Sequence, residues 1–451
     1  MLNHNPYHPL APPDDPTLFF GRADAVAFLR QRLVGAPNTQ MLILLGRHGI
    51  GKTSLLHHTS YIIDERYRTV YINLSDARGH NTRDMLQHMA STIITGMERI
   101  GASTYRVTDE PSPNASPADY QTWFADHLMD VAVTAIRRDR FLLLLLDDLQ
   151  VLLQAIDAGD LDADFMHFLG QLLHQHERLD ILAGLDIHYE ARTLEYDVCA
   201  NMQFHWRLGH LEPEAAERLI VEPIADQYNY AADTRAEILA LCGGYPFLIH
   251  SLCRLIYRYY EGSSRPAEIP PRAIEGVRMA TLEETSEIIA PYWAEMTLQE
   301  RALLGALLTL GAWDAAHAAP LDDLARALSR PALGINQTKL NALLRGLDYL
   351  HIIDTTPAGG YHFRTRLEAE WLHMQLDEPG QGLLGGRRLP NKTQIAGVIG
   401  TLLVIAIIIG LLLIGGFEDD ETPADSTPLP ATSTLDVDID ATRRATTPEA
   451  N

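Results

Sequence analysis

Cysteine is scarce in this sequence. Cys199, Cys242 and Cys253 are its three residues of that kind, and they show no paired or metal-like spacing. That excludes a disulfide framework and a thiolate metal site, and it fits small buried side chains in a reducing compartment. Positive charge is also short: 36 Lys and Arg face 59 Asp and Glu, for a formal net charge of −23. Such a chain lacks the positive face that broad nucleic-acid binding needs. His174 and His176 fall two apart on a helix-like stretch and point to different faces, which argues against a metal site there. No internal repeat occurs, which argues against a solenoid. Met1 to Asp15 is polar and Pro-rich without a charged-then-apolar pattern, so no signal peptide is expected.

What is present supports several folded units. A hydrophobic share of 46 % over 451 residues is enough for two or three domains, each with its own core. The most informative segment runs from Met41 to Ser54. An apolar strand-like run enters Gly46-Arg47-His48-Gly49-Ile50-Gly51-Lys52-Thr53, which matches G-x-x-x-x-G-K-[ST]. Glycines let the backbone curl so that several N–H groups converge on phosphate oxygens. Lys52 is placed to reach the outer phosphates and Thr53 to hold Mg²⁺, while the helix from Ser54 turns its positive end to the same anion. These residues predict a site for ATP or ADP with Mg²⁺.

A second apolar run, Phe141 to Leu146, ends in Asp147-Asp148. A carboxylate at the end of a strand neighbouring the loop is what Mg²⁺ requires. Asp147 is the candidate for the metal shell and Asp148 the candidate to polarise the attacking water. Lys52 and Asp148 are therefore the expected catalytic pair. An Asp in the base position is shorter than a Glu, which suggests slow turnover.

Strand-like runs at Met41–Leu45, Thr69–Leu74, Phe141–Leu146 and Leu179–Leu185 alternate with helical patterns. That predicts a parallel sheet with helices on both faces, a three-layer α/β fold. Gly101 to Pro117 reads as a surface insertion. Glu212-Pro213 opens a helical stretch that reaches about Tyr260. After a Pro-containing joint, Gly262 to Pro271, a helical segment ends in a hairpin signal: His351–Asp354 and Tyr361–Arg364 flank a Pro- and Gly-bearing turn. Helices followed by a hairpin fit a winged helix-turn-helix. Ile395 to Phe417 carries no charged residue and is long enough to cross a hydrocarbon core of about 30 Å as a helix. Arg387, Arg388 and Lys392 precede it, so positive-inside logic keeps the preceding domains in the cytoplasm and the acidic tail outside. The expected partition is 1–17 lead-in, 18–207 P-loop domain, 208–265 helical lid, 266–377 winged helix, 378–393 linker, 394–417 span and 418–451 disordered tail.

With Phe20-Gly21-Arg22 ahead of the first strand, the chain resembles the STAND branch of AAA-like ATPases, which open with an F-x-G-R-x-x-E-like box beside the adenine. Here Ala23-Asp24-Ala25 replaces the usual acidic spacing. The resemblance extends through Leu208–Ile220, similar to the entry into that family's lid. Gly244-Tyr245-Pro246 is similar to its G-x-P motif, whose proline packs near the nucleotide. It implies adenine-side roles for Phe20, Gly21 and Arg22, a place near the nucleotide for Pro246, and self-association with ATP. It also implies a sensor residue that this sequence does not supply plainly: Asp186 ends the fourth strand run, and only Arg192 or Arg207 could substitute. The expected function is a membrane-anchored nucleotide switch with a protein partner. The alternatives are a membrane-tethered transcription regulator, for which Lys339, Arg345, Arg364 and Arg366 make a thin DNA footprint, and an adaptor that holds nucleotide without hydrolysing it.

Overall fold

A computed structural model describes residues 5–13, 15–104, 106–112, 114–261 and 266–377. The expected span at Ile395–Phe417, its flanks and the tail lie outside the described residues, and among those described no helix is long and apolar enough to cross a membrane.

Five strands form one parallel sheet: β1 (Leu42–Gly46), β2 (Tyr67–Asn73), β3 (Phe141–Asp147), β4 (Leu179–Asp186) and β5 (His205–Arg207), in the order β2-β3-β4-β1-β5. The apolar runs became β1, β2, β3 and β4 because a sheet buried on both faces needs no polar alternation. Every residue of β1 and β3 is buried. Two corrections to the sequence reading follow. The sheet extends to β5, whose His205 pairs with Ile43 although the segment carries no apolar run. The acid-bearing strand β3 is not next to the loop-bearing β1, because β4 lies between them.

Alternating side chains divide the sheet between two cores. Ile43, Leu45, Leu144 and Leu146 face a core shared with α3 (Thr82–Arg99), α4 (Pro117–Trp123), α5 (Asp130–Ala135), α6 (Gln150–Ala158) and α7 (Phe165–Gln175). Leu42, Leu44, Leu143 and Leu145 face a core with α1 (Ala23–Arg32) and α2 (Lys52–Ile62) that continues into the C-terminal helices. Residues 106–112 and 114–116 between α3 and α4 form no regular element, and Trp123 Nε1 donates to Thr108 O at 2.9 Å to hold them.

A short helix α8 (Glu190–Thr193) precedes β5. Beyond the sheet come α9 (Pro213–Val221), α10 (Ala232–Cys242) and α11 (Pro246–Tyr259). Pro213 sits in the first turn of α9, where its missing N–H costs nothing. The joint expected to be irregular instead pairs β7 (Glu268–Ile269) in parallel with β6 (Asn229–Tyr230). Then follow α12 (Arg272–Glu295), α13 (Leu298–Thr309), α14 (Leu321–Ala327), α15 (Gln337–Tyr349), the antiparallel pair β8 (Ile353–Thr355) and β9 (Tyr361–Phe363), and α16 (Arg366–Asp377). Ala319 bridges antiparallel to Tyr361, adding a third segment beside β9.

Candidate nucleotide site

The loop between β1 and α2 is shaped by its glycines. Gly49 and Gly51 adopt positive φ of 75° and 103°, a region closed to most side chains. A Cβ on Gly49 would stand 2.8 Å from Phe247 Cβ, so α11 packs directly on the loop. Lys52 opens α2 and is buried; its Nζ donates to Gly46 O at 2.8 Å and to Arg47 O at 3.1 Å. An ammonium has three donors, so one remains for a ligand. Burial pushes the Lys52 pKa down, opposed by Asp186, Asp148 and Asp147, whose charges converge on it.

Asp147 reaches the loop across β4. Gly184 allows this: a Cβ there would lie 2.9 Å from Asp147 Oδ1 and 3.7 Å from Lys52 Cβ. The carboxylate is hydrogen-bonded to the Thr53 side chain, and its Oδ2 accepts from Tyr71 Oη at 2.8 Å. Burial raises its pKa, offset by the Thr53 hydrogen bond, while the neighbouring Asp148 adds to the rise. Thr53, Lys52 and Asp147 thus meet at one point. A buried carboxylate beside a hydroxyl and an ammonium suits a hard cation held on phosphate oxygens. Asp148 itself has φ of 60°, an uncommon state for a non-glycine residue. Its Oδ2 accepts from Ser75 Oγ at 2.6 Å and its Oδ1 from Gln150 Nε2 at 2.9 Å, so its orientation is fixed by two other elements.

Asp186 ends β4 on the same side. Its Oδ1 accepts from His188 Nδ1 at 2.8 Å and its Oδ2 from Tyr292 Oη at 2.8 Å. Burial opposes its charge, but the His188 hydrogen bond, the charge of Lys52 and the Tyr292 hydroxyl bring its pKa down to about 2. Arg192 is paired with Asp157 and Glu195, and Arg207 with Glu190, where its guanidinium also lies 4.2 Å from the Tyr349 ring centroid.

The remaining sequence candidates lie around the loop. Arg22, at φ of 66°, donates through Nη1 to Gly209 O and through Nη2 to Ile50 O, both at 2.5 Å. It ties the phosphate loop to the start of the α9 region, and burial lowers its pKa to about 10 despite Glu212 nearby. Gly21 lies against α9, since a Cβ would meet Ala215 Cβ at 2.8 Å. Phe20 is buried, with the Arg218 guanidinium 4.9 Å from its ring centroid. Gly243 is the left-handed C-cap of α10 and Pro246 starts α11. The residues flanking Pro246 touch the loop: Tyr245 Oη donates to His48 O at 2.5 Å, and Phe247 fills the space over Gly49. Ser54 continues the first turn of α2.

Sequence reasoning missed Tyr71, Gly184, Tyr292 and Glu368. Arg47 is buried against Glu368 of α16 at 2.5 Å, with its guanidinium 5.3 Å and 5.1 Å from the Tyr245 and Tyr292 rings. Burial works against the Arg47 charge, but Glu368 and the two tyrosines more than offset it. The backbone N–H of His48 donates to Tyr292 Oη at 2.6 Å. No local signal in the sequence links residues 292 and 368 to a loop at residue 47.

Residues 18–183 match the model of the AAA ATPase domain family. Among solved structures, the Walker-type ATPase of Pyrococcus abyssi is 15 % identical, with TM-score 0.57 over 81 % of this chain and 99 % of that one. The Aeropyrum pernix ORC2 protein, solved as ADPNP–ADP complexes, is 14 % identical, with TM-score 0.54 over 79 % of this chain and 95 % of that one. Among curated proteins the sequence has no match. The chain therefore carries an AAA-type P-loop ATPase domain in a parallel-sheet α/β fold.

Proposed function

We propose that this chain is a membrane-anchored, Mg²⁺-dependent ATPase of low turnover that works as a nucleotide-dependent switch. The observation that carries the reading is the meeting of Lys52, Thr53 and Asp147 beside a fixed Asp148 at the mouth of the phosphate loop. Bound Mg²⁺ supplies charge neutralisation on the phosphate oxygens. Thr53 and Asp147 are the residues that would hold it. Lys52 contributes its remaining N–H to phosphate, and Asp148, oriented by Ser75 and Gln150, accepts a hydrogen bond from the water that attacks.

Helices α13, α14 and α15 with the β8–β9 hairpin are read as a winged helix turned inward. Its Tyr349 meets Arg207 of the ATPase sheet, and a Cβ on Gly243 would collide with Arg364 O of the segment after β9. Arg364 and Arg366 lie near Asp354, Glu237 and Glu370, leaving Lys339 and Arg345 exposed on α15 beside Asp348. That disposition favours a switch over a DNA reader. The uncharged segment Ile395–Phe417 supplies the membrane anchor in this reading, and ATP promotes self-association.

The test compares the full chain in detergent with Lys52→Ala and Asp148→Asn. Lys52→Ala is expected to abolish nucleotide binding, and Asp148→Asn to retain binding while hydrolysis falls at least about 100-fold. Particle size should grow with ATP in Asp148→Asn. Intact hydrolysis in Lys52→Ala defeats the reading, and tight ADP retention with no turnover in the wild type favours the adaptor. Vesicle flotation of the full chain against one ending at residue 377 tests the anchor.

A further inference from the structure

We propose that Tyr292 is the residue by which this site distinguishes a nucleoside triphosphate from a diphosphate: its hydroxyl holds the His48 amide until a terminal phosphate displaces it, and that displacement unlatches the C-terminal helices. The inference rests on the nucleotide-binding reading above and adds to it a residue and a direction of movement.

Loop amides are the groups this fold presents to phosphate oxygens. One of them, His48 N–H, is already engaged at 2.6 Å by the hydroxyl of a residue 244 positions away in sequence. The same hydroxyl donates to Asp186 at 2.8 Å, and the Tyr292 ring stacks on His188 with centroids 4.6 Å apart. Tyr292 therefore spans the gap between the phosphate loop and the carboxylate at the end of β4. Inner phosphates belong at the start of α2. The terminal phosphate belongs on the side where Asp148 aligns water, and Lys52, Asp148 and Asp186 all lie close enough to His48 to act on its ring. A phosphate oxygen and the Tyr292 oxygen are both acceptors for one N–H, so they exclude each other.

The helix that carries Tyr292 is built to move there. Pro291 stands inside α12 immediately before it, so the i→i−4 bond at that point is absent and the last turn is held by fewer bonds. Tyr292 also flanks Arg47, which pairs with Glu368 on α16, so α12 and α16 grip the loop together. Losing the Tyr292 contacts loosens both. Asp186, once freed, keeps His188 and the charge of Lys52.

The experiment measures binding of a non-hydrolysable ATP analogue and of ADP to the full chain in detergent, for wild type, Tyr292→Phe and Lys52→Ala. Backbone hydrogen exchange of residues 292–296 is followed in parallel. Phenylalanine keeps the ring packing and removes only the hydroxyl. Losing one neutral and one charge-assisted hydrogen bond from the latched state is expected to tighten ATP-analogue binding about tenfold, with ADP changed by less than about twofold. Exchange at 292–296 should rise in the wild type with the ATP analogue but not with ADP, and should already be high in Tyr292→Phe. Equal effects on both nucleotides, no effect on either, or protection of 292–296 by the ATP analogue overturns the latch while leaving nucleotide binding standing. If instead Lys52→Ala binds as well as wild type, the nucleotide reading fails, and the latch with it.

Discussion

Asp180 shows how a single side chain sets a pH dependence. It is fully buried in β4, and its Oδ1 accepts from Asn38 Nδ2 at 2.8 Å. Burial raises its pKa from 3.8 to about 6, only partly offset by the hydrogen bond from Asn38. The folded carboxyl holds its proton more tightly than the unfolded one, so it favours the fold fully below the unfolded value. That advantage is lost as pH rises through about 6. A shift of this size corresponds to a loss on the order of 2–3 kcal/mol between the two limits. Asp180→Asn keeps the acceptor for Asn38 and removes the titration. It is expected to raise the urea midpoint at pH 7.5 and to lose most of that gain at pH 4.5. An equal gain at both pH values would show that burial of the charge is not the cause.

At the scale of the element, β4 decides whether the metal site can assemble. Inserting a strand between β1 and β3 places a wall between Lys52 and Asp147, and Gly184 is the opening in that wall. A Cβ at Gly184 would stand 2.9 Å from Asp147 Oδ1 and 3.2 Å from Leu56 Cδ1, closer than either neighbour tolerates without moving. Gly184→Ala is expected to raise the Mg²⁺ concentration for half-maximal hydrolysis at least about tenfold, with nucleotide binding in EDTA little changed. A Mg²⁺ titration of hydrolysis checks this, and an unaltered titration removes Gly184 from the site. The same strand shows where the sequence stops being legible. The runs behind β1, β2, β3 and β4 are long and apolar, and a doubly covered parallel sheet needs nothing more. Their order is a tertiary property with no local signal, so Asp147 could be picked out as a candidate from its run while Gly184 could not. β5 was hidden for a related reason: His205-Trp206-Arg207 is a strand because Ile43, Leu44 and Leu45 pair with it, not through its own composition. Within the motif Gly244-Tyr245-Pro246 it is the Tyr245 hydroxyl that bonds to the phosphate loop, at His48 O, a contact the motif itself does not signal.

For the molecule as a whole, the buried pair of Arg47 and Glu368 joins the first loop of the sheet to the last described helix. Exposure of the two side chains is 3 % and 4 %, so neither charge is relieved by water. Glu368 is also fixed from its own side: its Oε2 accepts from Thr365 Oγ1 at 2.9 Å, and its backbone N–H donates to the same hydroxyl. Taking two charges out of water costs several kcal/mol each, which the short contact and the flanking Tyr245 and Tyr292 rings repay only while both charges are present. Removing one partner is therefore much worse than removing both. Glu368→Ala is expected to destabilise the chain by about 3–5 kcal/mol, because the Arg47 guanidinium stays buried without an anion. The paired change Arg47→Met with Glu368→Leu should recover most of that loss, since it replaces the charges with apolar volume. A double-mutant cycle in urea, monitored by far-UV circular dichroism, measures the coupling. If α12, α16 and the phosphate loop unfold as one cooperative unit, Glu368→Ala shifts the whole transition and the pair restores it. If the C-terminal helices unfold separately from the sheet, Glu368→Ala splits the curve in two, with the sheet keeping its own midpoint. The first outcome fits a molecule in which loosening the grip on residue 47 is felt across the interface. The second would confine any nucleotide signal to the ATPase domain, because a helix that unfolds independently of the loop cannot report what the loop binds.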